Sequence, residues 1–332
     1  MKRRFYFFGL VICLSSLLAV FSSGEVKSEP SAEVSAEVSS LADLQKLTDG
    51  KLGVSAVMMG SGEAISLGDD EMYPMMSVFK FPLALSVLAR VDRGEMSLDQ
   101  KIKVYPDQWM QETWSPMRDQ FPQGGEFAIR DLLKFTMEQS DNNACDLLLG
   151  LIGGTSIVQQ DLRGWGIEGI QVVLTEQEMA KDWELAYKNV ARPSAMVRLL
   201  SLFADGKILK KPTQHFLWEV MLGCSTGGDR LKAGIPQGWL LAHKTGTSGT
   251  NQDGFTVAIN DTGVICLPDG RRMAVCVFLK DSKASAQEMA RVIAEVAQWI
   301  CTKWQAIAPI QKNRNSDEGN FGRMMNDDVT SL

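Results

Sequence analysis

Residues 75–85, "MMSVFKFPLAL", place a serine three residues before a lysine at the start of an apolar run. If the run is a helix, positions i and i+3 lie on the same face, so the hydroxyl of Ser77 and the amine of Lys80 would lie side by side. A serine hydroxyl is a poor nucleophile at its ordinary pKa and needs an adjacent base. The pair is therefore a candidate nucleophile and base, although the same spacing can arise by chance.

Three further stretches carry polar residues that have ordinary structural explanations when each is taken alone. They are "EQSDNNACD" (138–146), "VLTEQEMAKDW" (173–183) and "AHKTGTSG" (242–249). Ser140 and Asn142 precede an apolar run, where such residues usually cap a helix. Lys244 lies on a predicted strand, where it would usually mark an exposed edge. Glu176 and Glu178 lie on a loop, where glutamates are usually solvated.

Together and in this order, the patterns SxxK, SDN and KTG are the signature of active-site serine β-lactamases and penicillin-binding proteins. The sequence resembles a class A serine β-lactamase from about Leu41 to Ile307. The resemblance implies an α/β fold of the β-lactamase/D,D-peptidase type, with an antiparallel five-stranded sheet flanked by helices and an all-α lobe. It also implies hydrolysis of the β-lactam amide bond through a serine acyl-enzyme.

The resemblance assigns four catalytic residues. Ser77 is the expected nucleophile, and Lys80 is the base that takes or relays its proton, if burial and the neighbouring charge of Lys244 lower the pKa of Lys80. Ser140 is expected to pass a proton to the leaving lactam nitrogen. Glu176 is expected to activate the water that attacks the acyl-enzyme.

The resemblance also implies a substrate site. Its expected members are Trp114, Asn142, Arg230, Lys244, Thr245, Gly246, Thr247 and Ser248. Asn142 would bind the acylamide side chain of the substrate, and Lys244 and Thr245 would hold its carboxylate. The backbone amides of Ser77 and Thr247 would face the oxyanion.

Some features are similar to the extended-spectrum cephalosporinase branch that includes the PER and CfxA enzymes, so we expect cephalosporins to be good substrates. Asp146 stands where many class A enzymes have Asn. Arg230, in "STGGDRL", resembles an arginine that reaches the carboxylate pocket in some branches, and Thr247 and Ser248 follow the KTG motif. Trp114 fits an aromatic wall at the mouth of the cleft, with a core tryptophan as the open alternative.

The loop around the glutamate departs from the class A pattern. Such loops usually read Glu-x-x-x-Asn, but Ala180 stands in the Asn position and Leu174 replaces the usual arginine. Glu178 therefore remains a rival to Glu176. Residues 166–193 have weak periodicity, which predicts a long functional loop with a short helical turn.

The wider pattern predicts strands at both ends of the domain and helices between them. A helix near Leu41 precedes two strands joined by a tight turn, a long helical section follows, and three strands and a final helix close the domain. "FTVAINDTGVICL" and "RMAVCVFLKD" flank a "PDG" turn, which is a strong hairpin signal. This order favours an α/β layer beside an all-α lobe, with the ligand site in the cleft between them.

The N-terminus has the pattern of an export signal. A basic start is followed by the apolar run "FYFFGLVICLSSLLAVF" and by small residues. The expected division is a signal peptide at 1–24, a flexible linker at 25–40, the catalytic domain at 41–310 and a disordered polar tail at 311–332. We expect an exported, periplasmic protein, with an uncleaved N-terminal membrane tether as the alternative.

The composition limits the classes of molecule that we expect the protein to bind. The formal net charge is −6, and an acidic body without basic blocks argues against nucleic-acid binding. The sequence has no Cys/His cluster, so we expect no metal and no cofactor. The cysteines are expected to be mostly buried thiols, although Cys266 and Cys276 could face each other across the predicted hairpin. We expect a monomer that binds a small β-lactam and needs no protein partner.

Two other functions share part of this pattern. A penicillin-binding D,D-peptidase would carry the same three motifs but would normally lack the loop glutamate. A sensor domain that is acylated by β-lactams would normally carry transmembrane helices and an output domain, which the sequence does not predict. The complete set of motifs favours the β-lactamase.

Overall fold

The computed structural model of the chain describes residues 40–251 and 253–305. The expected signal peptide, all but the last residue of the expected linker and the expected C-terminal tail lie outside these residues. None of the helices in the described ranges is both long and apolar enough to cross a membrane.

The larger helices and strands follow the order that the pattern predicts, but five short strands that it does not predict lie between the first two strands and the last three. The helices are α1 (Leu41–Gln45), α2 (Lys80–Arg93), α3 (Pro116–Gln120), α4 (Ile129–Glu138), α5 (Asn142–Ile152), α6 (Thr155–Gly164), α7 (Glu176–Met179), α8 (Pro193–Ala204), α9 (Lys211–Leu222), α10 (Leu231–Gly234) and α11 (Ala286–Gln305). The strands are β1 (Lys51–Met58), β2 (Ala64–Leu67), β3 (Tyr73–Pro74), β4 (Lys101–Val104), β5 (Gly125–Ala128), β6 (Ile170–Gln171), β7 (Val190–Ala191), β8 (Leu240–Thr247), β9 (Thr256–Cys266) and β10 (Arg272–Ser282). Short 3₁₀ helices span Met76–Phe79, Pro106–Gln108 and Trp183–Tyr187.

Five strands form one antiparallel sheet in the order β2-β1-β10-β9-β8. The first strands of the domain therefore pair with the last ones, as predicted, and β8 lies at one edge of the sheet. Residues of β10 alternate between two apolar clusters because successive side chains of a strand point to opposite faces. Met273, Val275, Val277 and Leu279 pack against α1 and α11, whereas Ala274, Cys276 and Phe278 face the helical lobe.

Helix α2 runs through the helical lobe. Its side chains from Lys80 to Ala89 are all buried, so it is enclosed on every side. Pro82 lies in the first turn, where its missing N–H costs no helical hydrogen bond. Gly94 ends the helix in the left-handed region at φ 77°, a conformation that glycine adopts without strain.

The pairing of β9 with β10 rules out the expected contact between two cysteines. Cys266 lies opposite Arg272, and Cys276 lies opposite Thr262. Both cysteines are free, as are the other cysteines in the described ranges. The prediction that the two face each other across the hairpin was wrong because the turn sets a different register.

Candidate active site

Ser77 and Lys80 lie side by side where the 3₁₀ turn joins α2. The Nζ atom of Lys80 is 3.0 Å from Oγ of Ser77, as the spacing predicts. Met76, directly before the serine, has φ 46°, a region that side chains other than glycine seldom adopt. The chain therefore reverses sharply just before it presents the hydroxyl.

The ammonium group of Lys80 is completely buried and has four oxygen neighbours. Besides Ser77 Oγ, it donates to the carbonyl of Ser140 at 2.7 Å and to Oδ1 of Asn142 at 2.6 Å. It also forms an ion pair with Oε1 of Glu176 at 2.9 Å. A buried charge needs such a shell of acceptors and an opposite charge, so this arrangement joins three of the four motifs at a single atom.

The two glutamates of the loop have different surroundings. Oε1 of Glu176 lies 3.5 Å from Ser77 Oγ and 2.9 Å from Lys80 Nζ. The carboxylate of Glu178 instead accepts the backbone N–H of Thr175 at 2.9 Å and closes the capping box of α7. Of the two, Glu176 is the one that lies against the serine.

Two polar side chains, those of the half-buried Asp146 and the buried Asn189, hold the loop, in which Leu174 and Ala180 replace the usual residues. Asp146 accepts the backbone N–H groups of Glu176 and Gln177 at 2.8 and 2.9 Å. Asn189 accepts two further N–H groups of the loop and donates to the carbonyl of Leu174. The loop is therefore tied to α5 and β7 by side chains outside its central helical turn.

Ser140 lies between the two lysines of the motifs. Its φ of 59° is left-handed, and its hydroxyl accepts from Nζ of Lys244 at 2.9 Å. Burial lowers the pKa of Lys244 to about 8, and the nearby charge of Lys80 adds to that effect. A lysine with a lowered pKa beside a hydroxyl can exchange a proton with it.

Asp141 and Asn142, the other two residues of the SDN motif, make different contacts. Asp141, rather than Ser140, caps α5 by accepting the N–H of Ala144 at 2.8 Å. Asn142 donates from Nδ2 to the hydroxyl of Thr113 at 2.7 Å while its oxygen accepts from Lys80. The helix-cap interpretation is thus correct for Asp141, whereas the side chains of Ser140 and Asn142 reach the site.

Strand β8 carries the KTG motif, whose lysine and threonine are buried rather than exposed. Gly246 is needed for close approach, since a Cβ atom there would lie 2.3 Å from the carbonyl oxygen of Met75. Ser248 N donates to Ala258 O, and hydrogen bonds alternate along antiparallel strands. The N–H of Thr247 therefore points away from β9, toward the free edge of the sheet.

Arg230 lies against the outer end of this strand. Its guanidinium donates to the carbonyls of Gly246 and Asn260 and, at 2.6 Å, to the hydroxyl of Thr247. Ser248 continues beyond the strand, and its hydroxyl donates to the carbonyl of Gly249 and accepts from Ala258 N. Both residues thus lie at the end of β8, next to the KTG motif.

A cavity of 450 Å³ opens between these elements. Its lining includes Ser77, Trp114, Ser140, Asn142, Glu176, Thr245, Thr247 and Ser248. Trp114 is 62% exposed and anchors its Nε1 to the carbonyl of Gln139, so it is a wall of the cavity and not a core residue. A second cavity, of 560 Å³, lies near Asp92 and Lys210 and contains none of the predicted site residues.

Sequence reasoning missed several residues that build the site. They include Thr113, Asn189, Thr226 and Asn260. Asn260 is fully buried and donates to the carbonyls of Pro74 and Met75, which ties the segment before Ser77 to β9. Its position directly after the apolar run "VAI" is a signal, because a buried amide must find hydrogen-bond partners.

Comparison with known proteins assigns the chain to a family. The model of the Beta-lactamase enzyme family matches residues 34–304. The chain belongs to this family. It is 38% identical to beta-lactamase VEB-1 of Pseudomonas aeruginosa over 76% of this chain and 85% of that protein. It is 37% identical to the extended-spectrum beta-lactamase PER-1 of the same organism over 87% of this chain and 92% of that protein.

Solved structures support the same placement within the family. The crystal structure of a beta-lactamase from Chitinophaga pinensis superposes with a TM-score of 0.78 and 37% identity, covering 79% of this chain and 97% of that one. The TLA-3 extended-spectrum beta-lactamase gives a TM-score of 0.78 and 36% identity over 79% of this chain and 96% of that one. The fold is therefore that of class A β-lactamases, as the motifs imply.

Proposed function

We propose that the protein is an exported, periplasmic serine β-lactamase that hydrolyses its substrate through an acyl-enzyme, with Glu176 as the deacylation base. The observation that carries this proposal is the position of Glu176, whose Oε1 lies 3.5 Å from Ser77 Oγ and 2.9 Å from Lys80 Nζ. A carboxylate beside the nucleophile can activate a water molecule against the ester that forms there.

Acylation begins with attack of Ser77 Oγ on the lactam carbonyl. The hydroxyl proton passes to Glu176, either directly or through Lys80, which gives one of its own protons to the carboxylate as it accepts that of the serine. The amides of Ser77 and Thr247 stabilise the negative charge on the carbonyl oxygen. When the lactam C–N bond breaks, Ser140 gives its proton to the nitrogen and regains one from Lys244, which lies 2.9 Å away.

Deacylation is the mirror of this step. The proton that Glu176 gained during acylation first passes, through the site or solvent, to Lys244, which gave one up, so that Glu176 is a carboxylate again. Glu176 then takes a proton from a water molecule, the resulting hydroxide attacks the ester carbonyl, and the proton returns to Ser77 as the ester bond breaks. The product is the ring-opened β-lactam with a new carboxylate. The serines, the lysines and the carboxylate provide the nucleophile, the acid and the base, so this route uses neither a metal nor an organic cofactor.

The substrate class follows from the residues that line the cavity and from Lys244 and Arg230, which lie directly behind the lining residues Ser140 and Thr247. Lys244, Thr245 and Arg230 gather positive charge and donors for the carboxylate of the substrate, while Asn142 supports its acylamide group. Trp114 provides an exposed aromatic wall at the mouth of the cavity. The similarity to the extended-spectrum beta-lactamase PER-1 supports cephalosporins as good substrates, and we expect a monomer to suffice because the described site is built from one chain.

A penicillin-binding D,D-peptidase or an acylated sensor domain is the alternative function. Either would form the same acyl-enzyme but would hold it, since neither has a positioned base for the second step. The ion pair between Lys80 and Glu176 beside the serine favours turnover over trapping.

The test is hydrolysis of a chromogenic cephalosporin followed by intact-protein mass spectrometry of the wild type, Glu176→Gln and the matched control Glu178→Gln. We expect many turnovers by the wild type and by Glu178→Gln. In Glu176→Gln we expect deacylation to slow by about a hundredfold or more, so that the acyl adduct accumulates.

Two outcomes would contradict this assignment in different ways. A single stoichiometric burst and a stable adduct on the wild type would indicate a peptidase or sensor. Adduct accumulation in Glu178→Gln but not in Glu176→Gln would transfer the role of base to Glu178.

A further inference from the structure

A buried cluster that the proposed reaction does not use lies beneath the KTG motif. Nδ1 of His243 is 2.9 Å from Oδ1 of Asp261, and both side chains are almost completely buried. The thiol of Cys224 is buried as well, and the charge of His243 acts on it.

This cluster favours a charged pair near neutral pH. Burial alone would lower the pKa of His243, but the charge and hydrogen bond of Asp261, together with Cys224, raise it to about 10. Burial likewise opposes the thiolate, but the interaction with His243 outweighs it and lowers the pKa of Cys224 to about 7. The imidazole thus remains protonated while the thiol loses its proton near neutrality.

A short chain of hydroxyl groups connects the sulfur with the cavity. Sγ of Cys224 lies 3.4 Å from Oγ1 of Thr226 and 3.8 Å from the carbonyl oxygen of the same residue. Oγ1 of Thr226 lies 2.5 Å from Oγ1 of Thr245. Both threonines line the cavity, and the hydroxyl of Thr245 is one that the proposed function uses for the substrate carboxylate.

Each hydroxyl has one proton, so the direction of this chain depends on the sulfur. A thiol can donate to Thr226, which then donates to Thr245 and leaves the proton of Thr245 for the substrate. A thiolate must instead accept from Thr226, so that Thr245 donates to Thr226 and turns a lone pair toward the substrate. A lone pair repels a carboxylate, whereas a donated proton binds it.

We propose that Cys224 is a positioning residue whose proton, shared with His243, sets the hydrogen-bond direction of Thr226 and Thr245 and thereby the affinity for anionic substrates. This inference rests on the proposed function, because it assumes that Thr245 contacts the carboxylate of a β-lactam. It predicts that affinity for the substrate falls as pH rises through the range in which the thiol ionises.

Other charged groups face Cys224 and the threonine hydroxyls, and their titration must be separated from that of the thiol. They are Lys244 on β8, Asp261 on β9, Arg230 before α10 and Glu138 on α4. Burial raises the pKa of Glu138, so its titration is a competing explanation for an effect at mildly acidic pH. Glu138→Gln removes that explanation without touching the hydroxyl chain.

The first measurement follows thiolate absorbance at 240 nm against pH. We expect the wild type to show a step near pH 7 that is absent from Cys224→Ser and present in Glu138→Gln. Other cysteines of the described ranges do not interfere, because burial raises the pKa of Cys145 and Cys276 well above the usual value and that of Cys266 and Cys301 to about 11 and 12. If the wild type and Cys224→Ser titrate alike, the inference is overturned.

The second measurement is KM for a carboxylate-bearing chromogenic cephalosporin from pH 5.5 to pH 8.5. We expect KM of the wild type and of Glu138→Gln to rise by about tenfold across this range, the value of one hydrogen bond to a charged group. Cys224→Ser keeps a hydroxyl that does not ionise, and Thr226→Val breaks the chain, so both should lack the rise near pH 7 and keep only the rise at higher pH that the titration of Lys244, with its pKa of about 8, produces in every variant. Thr226→Val should still show the absorbance step.

The outcomes separate this inference from the proposed function. A rise in KM near pH 7 that is as large in Cys224→Ser or in Thr226→Val as in the wild type would overturn the role of the chain, even with hydrolysis intact. If no variant turned over, the proposed hydrolysis would fail, and the rate of acyl-adduct formation would replace KM in the same comparison. An adduct rate that depends equally on pH in the wild type and Cys224→Ser would again overturn the inference.

Discussion

Asp146 is the residue whose ionisation bears most directly on the loop that carries Glu176. Its carboxylate accepts two backbone N–H groups of the loop, yet burial raises its pKa to about 6 despite those hydrogen bonds. The folded protein therefore binds a proton at Asp146 more tightly than the unfolded chain does. Such a group favours the folded state at low pH and loses that contribution as pH rises to the folded pKa.

This shift makes stability depend on pH in a defined window. Between about pH 4 and pH 6 we expect the contribution of Asp146 to the free energy of unfolding to fall by about 3 kcal/mol, the value of two pKa units. Asp146→Asn should lack this decrease, because its side chain does not titrate. The measurement is urea unfolding of both proteins at several pH values, and the difference between them cancels the contribution of other carboxylates.

The control is Glu168→Gln, which removes an exposed carboxylate of the same loop region. It should follow the pH dependence of the wild type. Parallel curves for the wild type and Asp146→Asn would show that Asp146 does not carry the effect.

At the scale of elements, the contact between β8 and the turn at Met76–Phe79 aligns the two halves of the site. The strand provides Lys244 and the N–H of Thr247, whereas the turn provides Ser77. Gly246 allows their backbones to touch, and the amide of Asn260 fixes the segment before the turn from the neighbouring strand. The geometry of the proposed oxyanion site therefore depends on how closely these two elements pack.

Gly246→Ala should separate them. The added Cβ would lie 2.3 Å from the carbonyl of Met75, and a backbone atom cannot yield as a flexible side chain does. We expect a loss of about 1–3 kcal/mol in stability and a fall of about a hundredfold in kcat/KM, since a small misplacement of reacting groups is costly. Urea unfolding and a hydrolysis assay measure the two effects.

Gly164→Ala provides the comparison, because a Cβ at this position in α6 meets no atom within 4 Å. It should be neutral or slightly stabilising, as alanine is the better helix former. Gly246→Ala with the activity and stability of the wild type would mean that the close contact does not position the site.

The sequence predicts those elements whose pattern is local. The hairpin of β9 and β10, helix α2 and helix α11 each carry their own periodicity or turn signal, and all three are found. The two-residue strands β3, β6 and β7 were not predicted, because such short segments are defined by pairing with one another and not by their own residues. The loop at 166–193 was predicted, but its anchors were not: Asp146 lies outside it on α5, and Asn189 lies within it, just before β7.

The difference between local patterns and contacts between distant segments also decides which residues of the site the sequence predicts. The motifs identify Ser77, Lys80, Ser140 and Lys244 because their spacing is short or their order is diagnostic. Asn260 and Thr226 could not be assigned to the site, since their contacts join segments far apart in the chain. The sequence likewise could not distinguish Glu176 from Glu178. In the structure their surroundings differ, because Glu178 closes the capping box of α7 and Glu176 lies against the serine.

At the scale of the molecule, two apolar layers on either side of the sheet account for its cohesion. One layer joins the sheet to α1 and α11, and the other joins it to the helical lobe. Such burial contributes roughly 25 cal/mol for each Å² of apolar surface removed from water. A domain of this size therefore has no need of covalent cross-links, even though we propose that it works outside the reducing cytoplasm.

The free cysteines allow a test of whether apolar packing stabilises the fold without a disulfide. Cys145, Cys224, Cys276 and Cys301 are buried and Cys266 is partly buried, and the register of β9 and β10 keeps Cys266 and Cys276 apart. We expect the unfolding midpoint to be unchanged by a reducing agent, and we expect all of these thiols to react with a thiol reagent once the protein is denatured without reductant. A midpoint that falls on reduction, or fewer reactive thiols in the denatured protein, would instead mean that a disulfide supports the fold and that the pairing of these strands differs from the one described.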